Sequence, residues 1–386
     1  MLPSNIKIGI IGGGQLGKML IEAGKPWNIH YNILDAENAP AKDIANQHII
    51  GSLYDAEKIK ELASISDVLT YEIEHINIDV LFELEKSGKT IIPSPSILQI
   101  IQDKGLQKQF FKTNNIPSAP FELVENTKEW REKIKHLKGH KIAAKLRKGG
   151  YDGKGVELIE KEKIQNPEYQ FSMTEPCVLE EFVENAIELS VIVSRDANGN
   201  IKSFPLVEME FNPISNLVEY LFSPAEVSHE IELKCQEIAQ DCIEKLNGVG
   251  LFAVEMFLDR EDNVFVNEIA PRPHNSGHHT IEACYTSQYE QLNRILLGMP
   301  LGSTELIQPA AMINILGAEN VDGYYELTGL NEILNIAGVY VHLYNKKTSK
   351  PMRKMGHITI MAKTSLELKE KAKLVKNALG MKLINK

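Results

Sequence analysis

The first 35 residues admit few folds. Ile6 to Ile11 is an unbroken apolar run, GGGQLG follows at Gly12–Gly17, an amphipathic stretch comes next, and a second apolar run, His30–Leu34, ends in Asp35. This reads as a strand, a tight glycine turn, a helix and a second parallel strand. Gly12 and Gly14 permit the turn and a close backbone approach, and Gly17 lets the helix lie near the strand. The helix start then aims free N–H groups and a positive dipole end at an anion. GGGQLG fits G-x-G-x-x-G, and an acid about 20 residues further on is where a dinucleotide ribose is held. An NAD-dependent oxidoreductase is therefore one reading. A site for another phosphate, or a turn needed only for packing, are others.

The alternation continues. Strand candidates at 6–11, 30–34, 47–50, 67–71 and 90–92 are separated by helical patterns such as Ala56–Ser64 and Ile78–Ser87. This predicts a doubly wound α/β domain on a parallel sheet. Pro93-Ser94-Pro95-Ser96 breaks the pattern, and a single helix is expected over Ile97–Asn114 before a proline-rich stop at 115–120. Residues 120–190 carry strands, a lysine-rich helix and a glycine-rich turn. Two helices are expected at 225–246 and 279–297. After 300, Ala311–Leu316, Gly338–Leu343 and His357–Ala362 read as antiparallel strands before a final helix, Ser365–Leu379. At 386 residues the chain is too long for one ordinary core. The expected domains are 1–100, 101–300 with a small lid at about 120–190, and 301–386.

A net charge of −10 disfavours a nucleic-acid or anionic-membrane surface. Four cysteines without a C-x-x-C, two of them (Cys235 and Cys242) on the apolar face of a helix, point to a reducing compartment. The N-terminus carries no signal-peptide pattern and no window reaches 18 apolar residues, so a soluble cytoplasmic protein is expected.

Three stretches carry chemistry. In IAAKLRKGGYDGKG, Ile142–Gly155, a strand places Lys145 just before a turn whose four glycines leave N–H groups free for phosphate oxygens, with Lys154 as a second cation. It is not a Walker A loop, and on its own such a loop reads first as a flexible hairpin with surface lysines; the lysine before the turn and the features that follow favour the phosphate site. In CVLEEFVENAIELSV, Cys177–Val191, Glu180 and Glu181 close one strand and Glu188 opens another. Such a strand end, with Phe182 and Val183, presents backbone groups to a purine edge and an acid to ribose hydroxyls, or is simply polar. In the hairpin 252–269, a turn centred between Glu261 and Asp262 pairs Glu255 with Glu268. Facing carboxylates repel unless a cation lies between them. Hard oxygen donors, with Asn267 and a phosphate to complete the set, point to magnesium. Beyond the hairpin, PRPHNSG at 271–277 presents Arg272, whose guanidinium fits a carboxylate-like anion or a structural acid, together with His274 and Asn275. His278 and His279 lack zinc spacing and read as structural or supporting groups.

These elements, in this order, resemble the ATP-grasp superfamily, and more closely the N5-carboxyaminoimidazole ribonucleotide synthase family. GGGQLGKM, YEIEHI at 71–76, QDKGLQKQFF at 102–111, KLRKGGYDGKG at 145–155, NEIAPRPHNSGHHT at 267–280 and RKMGHIT at 353–359 carry the resemblance over nearly the whole chain. It implies a Rossmann-like substrate-binding domain, a central ATP-grasp domain with a lid, and a β-rich C-terminal domain. It also implies an ATP-dependent C–N ligase that carboxylates aminoimidazole ribonucleotide with bicarbonate in purine synthesis, a magnesium requirement and a homodimer.

On these residues it implies that Lys104 and Lys145 bind ATP phosphates, although position 104 is often arginine in the family. Gly150, Tyr151, Asp152, Gly153, Lys154, Gly155 and Val156 would cover the phosphates, and Asp152 would lie beside the reacting amine. Glu180, Glu181, Phe182 and Val183 would hold adenine, Glu188 the ribose, and Asn267 the nucleotide. Glu255 and Glu268 would carry magnesium. Arg272, His274 and Asn275 would hold bicarbonate. Gln15, Leu16, Lys347, Arg353 and Lys354 would take the ribonucleotide phosphate, and Glu72 or Glu74 its ribose or base. The glycine turn is then a phosphate site without NAD, and Asp35 has no assigned task. The rivals are another ATP-grasp ligase, of the formate-dependent glycinamide ribonucleotide transformylase or biotin carboxylase type, the NAD enzyme, and a non-catalytic nucleotide sensor.

Overall fold

The computed structural model describes residues 5–150, 155–166, 168–211 and 218–384. Its N-terminal sheet contains β1 (Lys7–Ile11), β2 (His30–Asp35), β3 (Gln47–Ile50), β4 (Val68–Tyr71) and β5 (Thr90–Ile91). All are parallel, in the order β3-β2-β1-β4-β5. Helices α1 (Gln15–Gly24), α2 (Ala56–Ser64) and α3 (Ile78–Lys86) make the crossovers. The strand order reverses between β1 and β4, and a crevice opens at the carboxyl ends of strands at such a point. Gly12 follows β1 there and Glu72 follows β4, so GGGQLG and YEIEHI face one crevice.

The helix expected over 97–114 is two helices, α4 (Pro95–Gln102) and α5 (Lys104–Thr113). Asp103 interrupts it with extended backbone and caps α5, accepting from Gly105 N (2.8 Å) and Leu106 N (3.2 Å). The same carboxylate holds Arg147 through Nε (2.7 Å) and Nη2 (2.9 Å). A cap plus a bidentate ion pair outweighs helix continuity.

A four-stranded antiparallel sheet follows: β6 (Phe121–Val124), β7 (Lys141–Leu146), β8 (Val156–Glu160) and β9 (Cys177–Glu181), ordered β6-β9-β7-β8. With α6 (Trp130–Lys133), it closes over its own small core of Trp130, Ile134, Ile142, Ile159 and Leu179.

The large antiparallel sheet contains β10 (Ile187–Arg195), β11 (Ile201–Ser203), β12 (Val207–Phe211), β13 (Val218–Ser223), β14 (Gly250–Leu258), β15 (Val264–Ala270), β16 (Ala310–Leu316), β18 (Val339–Leu343) and β19 (Lys354–Met361). Its order is β15-β14-β10-β12-β13-β16-β19-β18, with β11 on β10. The strands after residue 300 therefore extend this sheet through the β13–β16 pair. β17 (Tyr325–Thr328) pairs separately with β20 (Gly380–Leu383).

Helix α7 (His229–Leu246) packs Cys235, Ala239 and Cys242 onto the sheet. All four cysteines are free and buried. The helix expected over 279–297 is instead α8 (Thr280–Ala283) and α9 (Gln288–Leu296), because Cys284 bridges to Leu306 and Ser287 caps α9. Helix α10 (Leu330–Leu334) and α11 (Ser365–Ala378) cover the far end. Helices α1 and α9 pack together; Tyr31 Oη donates to Asn293 Oδ1 (2.8 Å), and Asn293 Nδ2 donates to Leu20 O (3.0 Å). Among the described residues, no helix is long and apolar enough to cross a membrane.

The hairpin β14–β15 corrects one expectation. Its turn centres on Glu261, since Leu258 pairs with Val264 and Met256 with Val266. An undisturbed ladder would then set Glu255 against Asn267. A bulge inserts Asn267 as an extra residue, and Glu255 pairs with Glu268 after all. Bulges re-aim side chains in this way.

Candidate active site

At the glycine turn, Gly12 has φ +103° and donates to Leu34 O (2.9 Å). Gly13 N donates to Asp35 Oδ2 (2.6 Å), Gly14 N to Glu72 Oε1, and Gly17 N to Glu72 Oε2 (2.5 Å). Asp35, which had no task, holds the turn. The acid that an NAD site would turn toward a ribose faces the protein's own backbone. Burial pushes Glu72 up to about 7, against the pull of the two N–H groups. The amides of Gln15 and Leu16, the first two residues of α1, precede any intrahelical acceptor and remain for a ligand.

The loop at 345–354 approaches the same segment. Asn345 Nδ2 donates to Asp43 Oδ2 (2.9 Å), and Ala41 N donates to Gly13 O (2.8 Å). Lys347 and Arg353 are exposed, and Arg353 Nη1 donates to Thr348 O (2.8 Å). Lys354 is half-buried. So is Lys346, which the sequence reading did not single out; its ammonium donates to Lys354 O (2.6 Å).

The nucleotide side is a network of lysines and acids. Lys145 on β7 donates to Asn267 Oδ1 (2.9 Å) and lies 2.6 Å from Glu180 Oε2. Lys104 pairs with Glu268 and Lys108 with Glu180. Lys104, Lys108, Lys145, Asn267 and Glu268 line one small cavity. Lys108 lies one helical turn after Lys104 on α5. That i, i+4 spacing was the available signal for it. Glu181 accepts from Lys138 N, and Phe182 N donates to Lys141 O (3.0 Å). Of the backbone groups on this stretch, the carbonyls and the N–H of Val183 are left for a purine. Gly150 and Val156 flank the glycine loop, and Gly155 has φ +78°. Tyr151, Asp152, Gly153 and Lys154 lie outside the described residues.

Glu188, at the start of β10, is pushed up to about 7 by burial, against the nearby Lys145 charge. Its carboxyl ionises near 4.5 when unperturbed. The folded chain therefore holds this proton more tightly. The associated stability is complete below about pH 4.5 and is lost as pH rises through 7. Glu188→Gln cannot titrate. Its melting midpoint, relative to the parent, is expected to climb between pH 4.5 and 8. A pH-independent difference in paired thermal melts would refute this.

Glu255 and Glu268 face the same cleft with opposite electrostatics. Burial pushes Glu255 up to about 8, with Glu268 and Glu188 adding to the rise. The Lys104 charge holds Glu268 down at about 2. Among the described residues no group of three His, Cys, Asp or Glu is set to hold a metal. Two carboxylates and the Asn267 carbonyl suit magnesium, which commonly takes one or two protein carboxylates and fills its shell with phosphate and water.

Beside this pair, Arg272 Nε binds Glu74 Oε1 (2.8 Å), and Nη1 donates to Pro273 O (3.1 Å). His274 Nδ1 accepts from Ser276 N (3.3 Å), and its Nε2 lies 3.3 Å from Glu255 Oε1. Gln288 clamps the His274 backbone through both its N–H (2.9 Å) and its carbonyl (2.8 Å). Asn275 Nδ2 is buried with no partner among the described residues. A buried unpaired donor is costly, and a ligand oxygen would satisfy it. His278 Nδ1 shares a hydrogen bond with Tyr289 Oη (2.9 Å), and burial holds its pKa well below the usual range, which fits a neutral interior group. His279 is fully buried and pushed down to about 4 by the same cause.

Residues 5–102 match the ribonucleotide synthetase preATP-grasp domain, 109–289 the ATP-grasp domain, and 310–371 the phosphoribosylaminoimidazole carboxylase C-terminal domain. The phosphoribosylaminoimidazole carboxylase of Candida glabrata is 39% identical over 97% of this chain, which spans 66% of that protein's length. A crystal structure of N5-carboxyaminoimidazole ribonucleotide synthetase from Thermotoga maritima is 41% identical, covers 98% of this chain and is itself covered completely (100%), with a TM-score of 0.88. N5-carboxyaminoimidazole synthase from Aspergillus clavatus, solved with ADP and 5-aminoimidazole ribonucleotide, is 34% identical, with 97% of this chain and 98% of that one covered and a TM-score of 0.86. Three consecutive domain matches, and a relative covered end to end, establish that the chain belongs to the N5-carboxyaminoimidazole ribonucleotide synthase family of ATP-dependent, ATP-grasp ligases.

Proposed function

We propose that this chain carboxylates the amine of 5-aminoimidazole ribonucleotide with bicarbonate, consuming ATP and giving N5-carboxyaminoimidazole ribonucleotide, ADP and phosphate. One observation carries the reading. The Arg272–Asn275 loop lies between the glycine-turn crevice, which it meets through Glu74, and the paired glutamates, which it meets through His274. An anion held there stands between the two nucleotide sites. The ligands of the Aspergillus clavatus relative are the two nucleotides this arrangement calls for.

The remaining guanidinium N–H groups of Arg272 and the free Asn275 amide hold bicarbonate. Its oxygen attacks the γ-phosphorus, ADP leaves, and carboxyphosphate forms. Lys145 and Lys104 offset charge on the phosphates. Magnesium bound by Glu255 and Glu268 would share that task. Carboxyphosphate then breaks into carbon dioxide and phosphate in the closed pocket, and the substrate amine attacks the carbon of carbon dioxide while losing a proton to a base. Asp152 and the released phosphate are the two candidate bases. The amides of Gln15 and Leu16, with Lys347, Arg353 and Lys354, take the substrate phosphate, and Glu72 or Glu74 its ribose or base. Glu180–Val183 and Glu188 hold adenosine. The glycine loop, with Gly150 and Val156 at its edges, shields carboxyphosphate from water.

The division into 1–100, 101–300 and 301–386 assigns the ribonucleotide, the ATP and the cationic loop to successive units. Four free cysteines and a net charge of −10 fit a cytoplasmic protein, and the family resemblance implies a homodimer acting on small-molecule substrates. ADP release with ATP, magnesium and bicarbonate, with and without the ribonucleotide, tests the reading. Stimulation by the ribonucleotide that requires bicarbonate supports it. Stimulation by formate with glycinamide ribonucleotide, or by biotin, would retain the ligase core and discard the substrate.

A further inference from the structure

Lys108 and Glu180 are among the most deeply buried charges in the protein. Their side chains are 4% and 3% exposed, and the ammonium donates to Glu180 Oε1. Lys108 Nζ also lies 3.5 Å from Val266 O and 5.5 Å from the centre of the Phe111 ring. Lys145, on the other oxygen of Glu180, is different. Its side chain is 16% exposed, and it already reaches across the cavity to Asn267. Burial opposes the charge on both partners of the Lys108–Glu180 pair. With two ammonium groups on one carboxylate the ion wins, and Glu180 is held at about 2.

The proposed reaction gives Lys145 a task and gives Lys108 none. Drawing Lys145 toward the phosphates would loosen its hold on Glu180. If it were the sole counter-ion, ATP binding would strand a carboxylate that is 3% exposed, an expensive state. Lys108 lines the same small cavity, but its ammonium is held at the floor by Glu180 Oε1, with the Val266 carbonyl 3.5 Å away and the Phe111 ring beside it.

We propose that Lys108 is a positioning residue of the nucleotide site: it is the standing counter-ion of Glu180, which lets Lys145 transfer from Glu180 to the ATP phosphates and leaves Glu180 Oε2 open to an N–H of the purine. The inference rests on the ATP reading above and deepens it. Adenine offers a 6-amino donor to that oxygen. Guanine offers a carbonyl, which the carboxylate repels.

Calorimetric titration of the full-length protein with magnesium–ATP tests it. No binding by the parent protein would sink the ATP reading itself, before any variant is considered. Given parent binding, Lys108→Met is expected to weaken ATP tenfold or more and leave ribonucleotide affinity within twofold. Lys108→Met/Glu180→Gln, which has no stranded charge, is expected to return within threefold of the parent for ATP and to discriminate less against GTP. Parent-like ATP affinity in Lys108→Met would overturn the proposal. So would equal losses for both ligands, or a double variant no better than the single. If circular dichroism shows Lys108→Met unfolded, Glu180→Gln is compared with the double variant. ATP affinities within threefold of each other support the proposal. A tenfold loss on adding Lys108→Met would mean that Lys108 acts on the nucleotide directly, and the proposal fails.

Discussion

Arg272→Ala is expected to cut bicarbonate-dependent ADP formation by about 10²–10³, the usual cost of losing a preorganised group that stabilises charge in a closed site. Arg272 is the cation assigned to the proposed bicarbonate, and its Nε is already committed to Glu74 at 2.8 Å. The two side chains are 19% and 17% exposed, so each would be costly to leave alone. The variant therefore carries two effects. One is catalytic. The other is an unpaired Glu74, which costs about 3 kcal/mol when a buried pair is broken. Arg272→Ala/Glu74→Gln separates them. Removing the stranded charge should recover most of the melting temperature and none of the turnover. If turnover recovers with stability, Arg272 is structural and the bicarbonate assignment falls. Normal turnover in Arg272→Ala alone would have the same consequence.

The features visible in the sequence are those that depend on near neighbours. The crossover at 6–35, the lysine before the glycine loop and the facing glutamates of the hairpin are local patterns, and each has a counterpart in the structure. The hairpin agreed for a reason the pattern does not contain. The turn lies half a residue from its expected centre, and the extra residue Asn267 restores the pairing. The helix over 97–114 failed because periodicity does not show that Asp103 has a second customer in Arg147, 44 positions away. Polar partnerships at long range were the least legible. Lys104 meets Glu268 and Arg272 meets Glu74 only because the crevice of the parallel sheet opens onto the edge of the large one. The task of Asp35 was hidden for a related cause, since its partner is a backbone N–H that any residue at position 13 other than proline would carry.

Glu268→Gln is expected to lower turnover by about 10²–10³ and to change the magnesium dependence in a way that identifies the cause. Lys104 binds Glu268 Oε2, and its charge holds that carboxyl at about 2. The ammonium thus neutralises the carboxylate that a divalent cation would otherwise take. With metal and nucleotide bound, Lys104 would turn to a phosphate oxygen and Glu268 would hold the metal, so that neither charge of the pair is left without a partner. Glutamine at 268 removes one partner from each exchange. Lys104 is then free for phosphate from the outset, so ADP without magnesium should bind at least as tightly as to the parent. The metal loses a charged ligand, so the gain in ADP affinity on adding magnesium should shrink toward unity. Titration of both proteins with ADP, with magnesium and with a chelator, reads the two signs separately. A full magnesium enhancement in Glu268→Gln would remove Glu268 from the metal site. Weaker metal-free binding would show that Lys104 needs Glu268 to be held in place for the nucleotide, and the exchange would be wrong.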